Sequence, residues 1–100
     1  MTIEIINNAE LVTAVMCGSL DTQATEMLES KVEELESLAT KPITLDCTSL
    51  EYISSSGLRL LLRLRKAFAA NGQKIAMIGV NDNIMEVLKI THFDKMFEIS

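Results

Sequence analysis

The sequence contains no tryptophan and few other aromatic residues, which limits the kind of core it can form. Aromatic residues make up 4% of the 100 positions, whereas hydrophobic residues together make up 48%. A chain of this length is typical of one domain and can bury a core without disulfide or metal crosslinks. We therefore expect a single domain over residues 1–100, packed around leucine, isoleucine, valine and methionine.

Segments for export or membrane insertion are also missing. The N-terminal residues show neither the basic region nor the apolar run of a signal peptide. The longest leucine-rich run, residues 58–64, is interrupted by Arg59 and Arg63, so it is unsuited to span a membrane. The sequence predicts a soluble cytoplasmic protein with no membrane partner.

Residues for catalysis or metal binding are scarce. The two cysteines, Cys17 and Cys47, lack the spacing of a metal site or redox motif, and we expect both to be reduced and buried in strands. The single histidine, His92, has no serine nucleophile motif to act with, and phosphate-binding glycine loops are absent. The sequence predicts neither an enzyme nor a bound metal or cofactor.

Charge is unevenly distributed along a chain whose formal net charge is -5. Residues 1–50 contain nine acids and two bases, whereas residues 51–100 contain five acids and seven bases. An acidic chain is a poor candidate for binding nucleic acid. Arg59, Arg63 and Lys66 share one side of a predicted helix, and they form either a partner-binding surface or an ordinary solvated face.

Hydrophobic periodicity predicts strands at 3–7, 11–17, 43–47, 74–80 and 96–99. A first helix, capped by Asp21 or Thr22, follows the second strand, and its apolar positions are Ala24, Met27, Leu28, Val32, Leu35 and Leu38. A second helix over 56–70 has a predicted buried stripe of Leu58, Leu61, Leu62 and Phe68, and a short third helix begins at 81–83. The order β-β-α-β-α-β-α-β predicts an α/β fold: a mixed, mainly parallel sheet of four to five strands with covering helices and an initial hairpin.

The run Ser54-Ser55-Ser56-Gly57 stands between the third strand and the second helix. A serine hydroxyl before a helix accepts a hydrogen bond from the first turn and so caps it. The same position suits an anion, since free N–H groups and the helix dipole favour negative charge there. By themselves these residues favour the simpler interpretation, a cap and a turn.

Residues 45–58, with the sequence LDCTSLEYISSSGL, resemble the signature of the STAS domain family, in particular the small bacterial anti-sigma factor antagonists. In that family a strand is followed by a hydrophobic residue, then M or I, and then D-S-[S/T]-G-L. Residues 18–21 are similar to the family's G-E-L-D segment, and residues 90–97 to its closing segment. The resemblance extends over the whole chain, and it departs from the signature where Ser54 occupies the position of the motif's Asp.

The resemblance implies a partner-switching regulator. Such a domain, when unphosphorylated, binds a GHKL-type serine kinase that also acts as an anti-sigma factor. The kinase then phosphorylates a serine of the domain, the two proteins separate, and a PP2C-type phosphatase restores the first state. The alternative is a STAS scaffold or sensor subunit of a signalling complex that is never phosphorylated. A monomer is the default expectation in either case.

Matched by position, the resemblance assigns the phosphate acceptor to Ser55, with Ser56 and Ser54 as alternatives. The residues expected to contact the partner are Asp21, Ser54, Ser56, Gly57 and Arg59.

Overall fold

The computed structural model describes all 100 residues. Its strands are β1 (Thr2–Asn7), β2 (Val12–Leu20), β3 (Ile43–Ile53), β4 (Ile75–Ile78) and β5 (Glu98–Ile99). Its helices are α1 (Thr22–Met27), α2 (Glu29–Ser37), α3 (Ser55–Ala70) and α4 (Asp82–Ile90), with a 3-10 turn at Phe93–Lys95. None of the helices combines the length and hydrophobicity that a membrane-spanning segment requires.

The strands form one sheet in the order β1-β2-β3-β4-β5. β1 pairs with β2 as an antiparallel hairpin, and the remaining pairs are parallel. This confirms the predicted α/β fold with a mixed, mainly parallel sheet. Because β2 and β3 run in the same direction, the loops that follow them meet at one edge of the sheet. Asp21 and Ser54, the first residues after β2 and β3, therefore lie at this edge.

The core is aliphatic, as the composition predicts. It contains 23 buried residues, of which the only aromatic ones are Phe68 and Phe97, and no polar or charged residue is buried. Along β2 the side chains of Val12, Ala14 and Met16 are buried, whereas those between them are half-buried. This alternation reflects the two faces of a strand.

The first predicted helix is not continuous. It is divided at Leu28, whose φ of -95° and ψ of 7° depart from helical values. The backbone bonds from Leu28 N–H to the Ala24 carbonyl (3.0 Å) and from Val32 N–H to the Leu28 carbonyl (2.9 Å) persist, so the interruption is a bend. Met27, predicted on the buried face, lies beside this bend with 74% of its surface exposed.

β2 and β3 are both longer than the hydrophobic pattern predicts. The hydrophobic pattern predicts that β3 ends at Cys47, but the strand continues to Ile53 because residues 49–53 pair with residues 17–20 of β2. Cys17 pairs with Ser49, and Gly18, at a φ of 101°, pairs with Leu50. This mutual pairing places the end of β2 directly beside the start of α3. By contrast, β4 and β5 are shorter than predicted.

The buried stripe of α3 differs from its prediction by part of a turn. Leu61 and Phe68 are buried as expected, but Leu58 and Leu62 are only half-buried. The remaining buried positions are Gly57, Leu60 and Leu64. Residues 60 to 62 are all leucine, so the sequence does not show which side of α3 faces the core. That side is decided by how the first turn of α3 packs on the sheet.

Of the two cysteines, only Cys47 is fully buried, and Cys17 is half-buried. Cys17 follows Met16, which faces the core, so its own side chain points to the less covered face of the sheet. Both thiols are free, as predicted.

Candidate functional site

The residues after β2 and β3 cap the two helices that start at this edge of the sheet. Asp21 is exposed, and its Oδ1 accepts a hydrogen bond of 2.8 Å from Ala24 N–H at the start of α1. Ser54 caps α3, its Oγ accepting a bond of 3.1 Å from Gly57 N–H. Of the two residues predicted to cap α1, Asp21 rather than Thr22 does so, and the first serine of the run caps α3.

Ser54 also joins α3 to the end of β2. Its hydroxyl donates to the Leu20 carbonyl at 3.1 Å, and its backbone N–H donates to the same oxygen at 2.9 Å. The half-buried hydroxyl is thus occupied both as donor and as acceptor. Phosphorylation of Ser54 would replace the hydroxyl proton and so remove the side-chain hydrogen bond to the Leu20 carbonyl.

Ser55 is the first residue of α3 and is exposed. The hydroxyls on either side of it, those of Ser54 and Ser56, are hydrogen-bonded to other residues, whereas that of Ser55 has no protein partner. Among the three serines it is therefore the one whose oxygen can react without breaking a contact of the fold.

Ser56 connects α1 to α3. Its half-buried hydroxyl lies 3.2 Å from Oγ1 of Thr22 and accepts a hydrogen bond of 3.3 Å from Nη2 of Arg59. Thr22 is therefore a contact residue that the sequence did not single out as one. Its position at the first turn of α1, after Asp21, gave no indication that it would meet a serine 34 residues later.

Gly57, one of the expected contact residues, is buried in the first turn of α3. A Cβ atom at this position would lie 2.7 Å from the Leu20 carbonyl oxygen and 2.8 Å from Cγ1 of Ile53. Real carbon atoms do not approach so closely, so glycine here allows the first turn of α3 to pack on the ends of β2 and β3. The motif's glycine thus serves packing.

The basic side of α3 separates into one paired and one unpaired arginine. Arg63 binds Oε1 of Glu36 at 2.7 Å and Oε1 of Glu29 at 2.6 Å, and these hydrogen bonds, Glu36 first, raise the pKa of its guanidinium above its usual value. Arg63 thereby ties α3 to α2. Arg59, one turn closer to the serines, has no carboxylate partner within 4.0 Å.

Two exposed apolar side chains lie near the edge of the sheet where Asp21 and Ser54 cap α1 and α3. Met27 lines a shallow depression with Gly18, Ser19, Asp21 and Glu51. Tyr52, the penultimate residue of β3, is 54% exposed. The sequence placed Met27 among the core residues, and only its exposure reveals it as a surface residue of this edge.

Comparison with known proteins agrees with this architecture. The STAS domain family matches residues 2–100. The anti-sigma-B factor antagonist of Staphylococcus aureus is 25% identical over 83 residues, which are 83% of this chain and 77% of that protein. The chain therefore belongs to the STAS domain family.

Solved structures show the same fold. An anti-sigma factor antagonist from Mycobacterium paratuberculosis superposes with a TM-score of 0.84 at 15% identity, covering 98% of this chain and 83% of that one. SpoIIAA of Bacillus, an anti-sigma factor antagonist, matches at 17% identity in both its unphosphorylated form (TM-score 0.74, 99% of this chain and 87% of that one) and its phosphorylated form (TM-score 0.73, 99% and 91%). SpoIIAA thus keeps this fold in both states.

Proposed function

We propose that this protein is an anti-sigma factor antagonist that works by partner switching. Unphosphorylated, it binds a GHKL-type serine kinase that acts as an anti-sigma factor, and phosphorylation of Ser55 releases it. Membership of the STAS domain family and relatives named as anti-sigma factor antagonists support this proposal. The protein is then the substrate of a kinase and has no catalytic role of its own.

The observation that carries the proposal is the state of the Ser55 hydroxyl. It is exposed, at the edge where Asp21 also lies, and it is free of the hydrogen bonds that occupy its two neighbours. In the transfer, the serine oxygen bonds to the γ-phosphorus of ATP, the hydroxyl proton leaves and ADP departs. No contact of the fold has to break for this to happen.

The phosphate opposes binding through its charge. It adds about -1.5 to -2 charges at neutral pH. At the first turn of α3 this charge is compatible with the helix dipole, so the fold tolerates it. Buried in a close interface, the same charge loses its hydration and can face acidic groups of the partner. A loss of about 3 kcal/mol would weaken binding more than a hundredfold.

The proposed contact surface surrounds Ser55. It includes Asp21, Ser56 and Arg59, with the half-buried Ser54 at its margin. A PP2C-type phosphatase completes the cycle by hydrolysing the phosphoserine. Because the kinase requires ATP, we place this cycle in the cytoplasm, with the unbound protein as a monomer.

Phosphopeptide mapping tests the proposal. The protein is incubated with ATP and an extract of its native cells, with a known kinase substrate as positive control. We expect phosphate on Ser55, and none on the variant Ser55→Ala. Ser55→Asp should fold normally and fail to bind the kinase. Binding by Ser55→Asp that equals wild type, or a Ser55→Ala protein labelled to the same extent as wild type, would contradict the assignment.

A second candidate, a STAS scaffold or sensor subunit without phosphorylation, is favoured by one observation. Ser54 replaces the motif's Asp, so the negative charge that adjoins the acceptor in the family is missing. This candidate predicts a partner complex that ATP does not dissociate. Persistence of the complex in ATP, while the positive control is phosphorylated, would favour it over the switch.

A further inference from the structure

Arg59 is oriented towards the serines at the start of α3. Its Nη2 donates to Ser56 Oγ at 3.3 Å, one turn back along the helix. Side chains of a helix lean towards its N-terminus, and positions four apart have Cβ atoms about 5–6 Å apart. Ser55 is four positions before Arg59, so the guanidinium that now contacts Ser56 lies within reach of a phosphate on Ser55.

The other bases of α3 are unsuited to this role. Arg63 is held by Glu29 and Glu36, and Nε of Arg65 donates to the Met96 carbonyl at 2.9 Å. Lys66 is exposed but lies 11 positions after Ser55, about 16 Å along the helix axis. Arg59 has only the single, long hydrogen bond to a neutral hydroxyl, which a phosphate would easily replace.

We propose that Arg59 is an intramolecular ligand of the phosphate on Ser55. In the unphosphorylated protein its guanidinium is exposed and available to an acidic group of the partner. On phosphorylation it leaves Ser56 and pairs with the phosphate, because hydrogen bonds between two charged groups are stronger than those to a neutral hydroxyl. Phosphorylation thus withdraws the Arg59 guanidinium from the partner's acidic group and presents the negatively charged phosphate to the partner at the same time. This inference rests on the proposed function.

The surrounding charges are compatible with this pairing. The groove between α1 and α3 has Glu26 and Glu29 on its α1–α2 side and Arg59 and Arg63 on its α3 side. Glu29 is already paired with Arg63, so Glu26 is the acid left to compete for Arg59. Glu26 is not within ion-pair distance of Arg59, and a phosphate carrying up to two charges is the stronger competitor.

The second pKa of the phosphoserine tests the proposal directly. Phosphoserine is incorporated at position 55 by genetic encoding, so that no kinase is needed, and the phosphorus NMR signal is followed between pH 4 and 9. A nearby cation lowers this pKa by favouring the dianion. We expect Arg59→Gln to raise it by roughly 0.15–0.7 unit, the range for an exposed ion pair, and Arg59→Lys to give a value between the two.

Lys66→Gln is the matched control, since it removes the same charge from the same helix at a distance. We expect it to leave the phosphate pKa unchanged at 0.15 M salt, where charges beyond about 8 Å are screened. A phosphate pKa in Arg59→Gln equal to that of the parent would overturn the proposal. Equal shifts in Arg59→Gln and Lys66→Gln would also overturn it, because they would show that the phosphate pKa responds to the total charge of the helix rather than to contact with Arg59.

The measurement also separates this inference from the proposed function. Binding of the phosphorylated and unphosphorylated proteins to the kinase is measured in parallel. If phosphorylation abolishes binding while Arg59→Gln leaves the phosphate pKa unchanged, the switch stands and the role of Arg59 fails. If the pKa responds to Arg59 but the phosphorylated protein still binds as tightly, the switch fails and the contact stands.

Discussion

At the scale of single residues, the departure from the family signature at Ser54 has a simple physical explanation. Asp and Ser are both preferred N-cap residues, because each presents a side-chain oxygen to the first turn of the helix. Ser54 performs this role towards Gly57 and adds a hydrogen bond to Leu20 that a carboxylate could not donate. The replacement therefore preserves the start of α3 while removing one charge next to Ser55.

The cap can be tested by two substitutions at the same position. Ser54→Ala should lower the free energy of unfolding by about 1–2 kcal/mol, since Gly57 N–H loses its acceptor. Ser54→Asp should stay within about 0.5 kcal/mol of wild type, because the carboxylate restores the cap and Leu20 keeps the backbone donor. Urea denaturation measures both. A Ser54→Ala protein as stable as wild type would show that the cap does not contribute to the free energy of unfolding.

A second prediction concerns pH and Cys47. Burial, followed by the charge of Asp46, raises the pKa of this thiol from 9.0 to about 12. Between these values the unfolded chain loses the thiol proton and the folded chain retains it, so the free energy of unfolding falls as pH rises. From pH 9 to 10 the loss attributable to Cys47 is at most about 1.4 kcal/mol.

Cys47→Ala should remove this part of the alkaline destabilisation, although the variant is less stable at neutral pH. Cys17→Ala, which leaves Cys47 in place, is the control and should keep the dependence of wild type. Urea denaturation at pH 8 and pH 10 gives the two slopes. Identical alkaline losses in Cys47→Ala and wild type would contradict the assignment to this thiol.

At the scale of elements, the candidate site depends on how the first turn of α3 meets the ends of β2 and β3. Ser54 bonds to Leu20, and Gly57 packs against Leu20 and Ile53. Farther along, Arg63 fixes α3 to α2 through two carboxylates. These contacts set the position of Ser55 relative to Asp21, although neither of these two residues takes part in them.

Gly57→Ala tests this packing. Within a helix, alanine in place of glycine normally stabilises by about 0.5–1 kcal/mol. Here the new Cβ would lie 2.7 Å from the Leu20 carbonyl oxygen, so we expect a loss of about 1–3 kcal/mol instead. Urea denaturation gives the sign, and amide chemical shifts should change at Leu20 and Ile53. A more stable variant with unchanged shifts would refute the close approach.

Gly72→Ala provides the comparison for this substitution. Gly72 follows α3 with a φ of 71°, and a Cβ there would meet nothing within 4 Å. Its replacement should cost about 1 kcal/mol through backbone strain alone. It should leave the signals of Leu20 and Ile53 unchanged, since no neighbour has to move.

At the scale of the whole molecule, the mainly parallel sheet has two opposite edges, one where its parallel strands start and one where they end. The loops after β2 and β3 carry Asp21 and Ser54, and Met27 lies beside the depression at this end. α4 starts after β4 at the same edge and runs back, so Ile90, its last residue, lies towards the opposite edge. Met27 and Ile90 are 74% and 71% exposed, which makes them a matched pair of apolar surface residues.

We expect different roles for these two residues, because Met27 shares its depression with Asp21, a residue of the proposed contact surface. Met27→Ala should weaken binding to the kinase about tenfold, the effect of losing some 1.4 kcal/mol of apolar contact at an interface. Ile90→Ala should leave the affinity unchanged. Titration calorimetry with the purified kinase measures both, and unfolding curves confirm that each variant folds. Equal affinities for the two variants would place Met27 outside the interface.

The sequence by itself determined the fold class and the identity of most elements. The order of strands and helices follows from two periodicities, alternation in strands and steps of three and four in helices, which are properties of local backbone geometry. The motif of residues 45–58 located the serines and the family. Asp21 as a cap, Asn81 ahead of α4 and the aliphatic core were all accessible from composition and local pattern, and the structure confirms them.

Tertiary structure alone decided the lengths of β2 and β3, the core side of α3 and the state of each serine. The ends of both strands mix polar residues with the buried Leu20, Leu50 and Ile53, and they become strands because they pair with each other, a contact between distant parts of the chain. Which serine hydroxyl is free depends on Leu20 and Thr22, more than 30 residues away. Three adjacent serines are nearly equivalent in sequence, and the long-range hydrogen bonds of Ser54 to Leu20 and of Ser56 to Thr22 help to distinguish Ser55 from its neighbours.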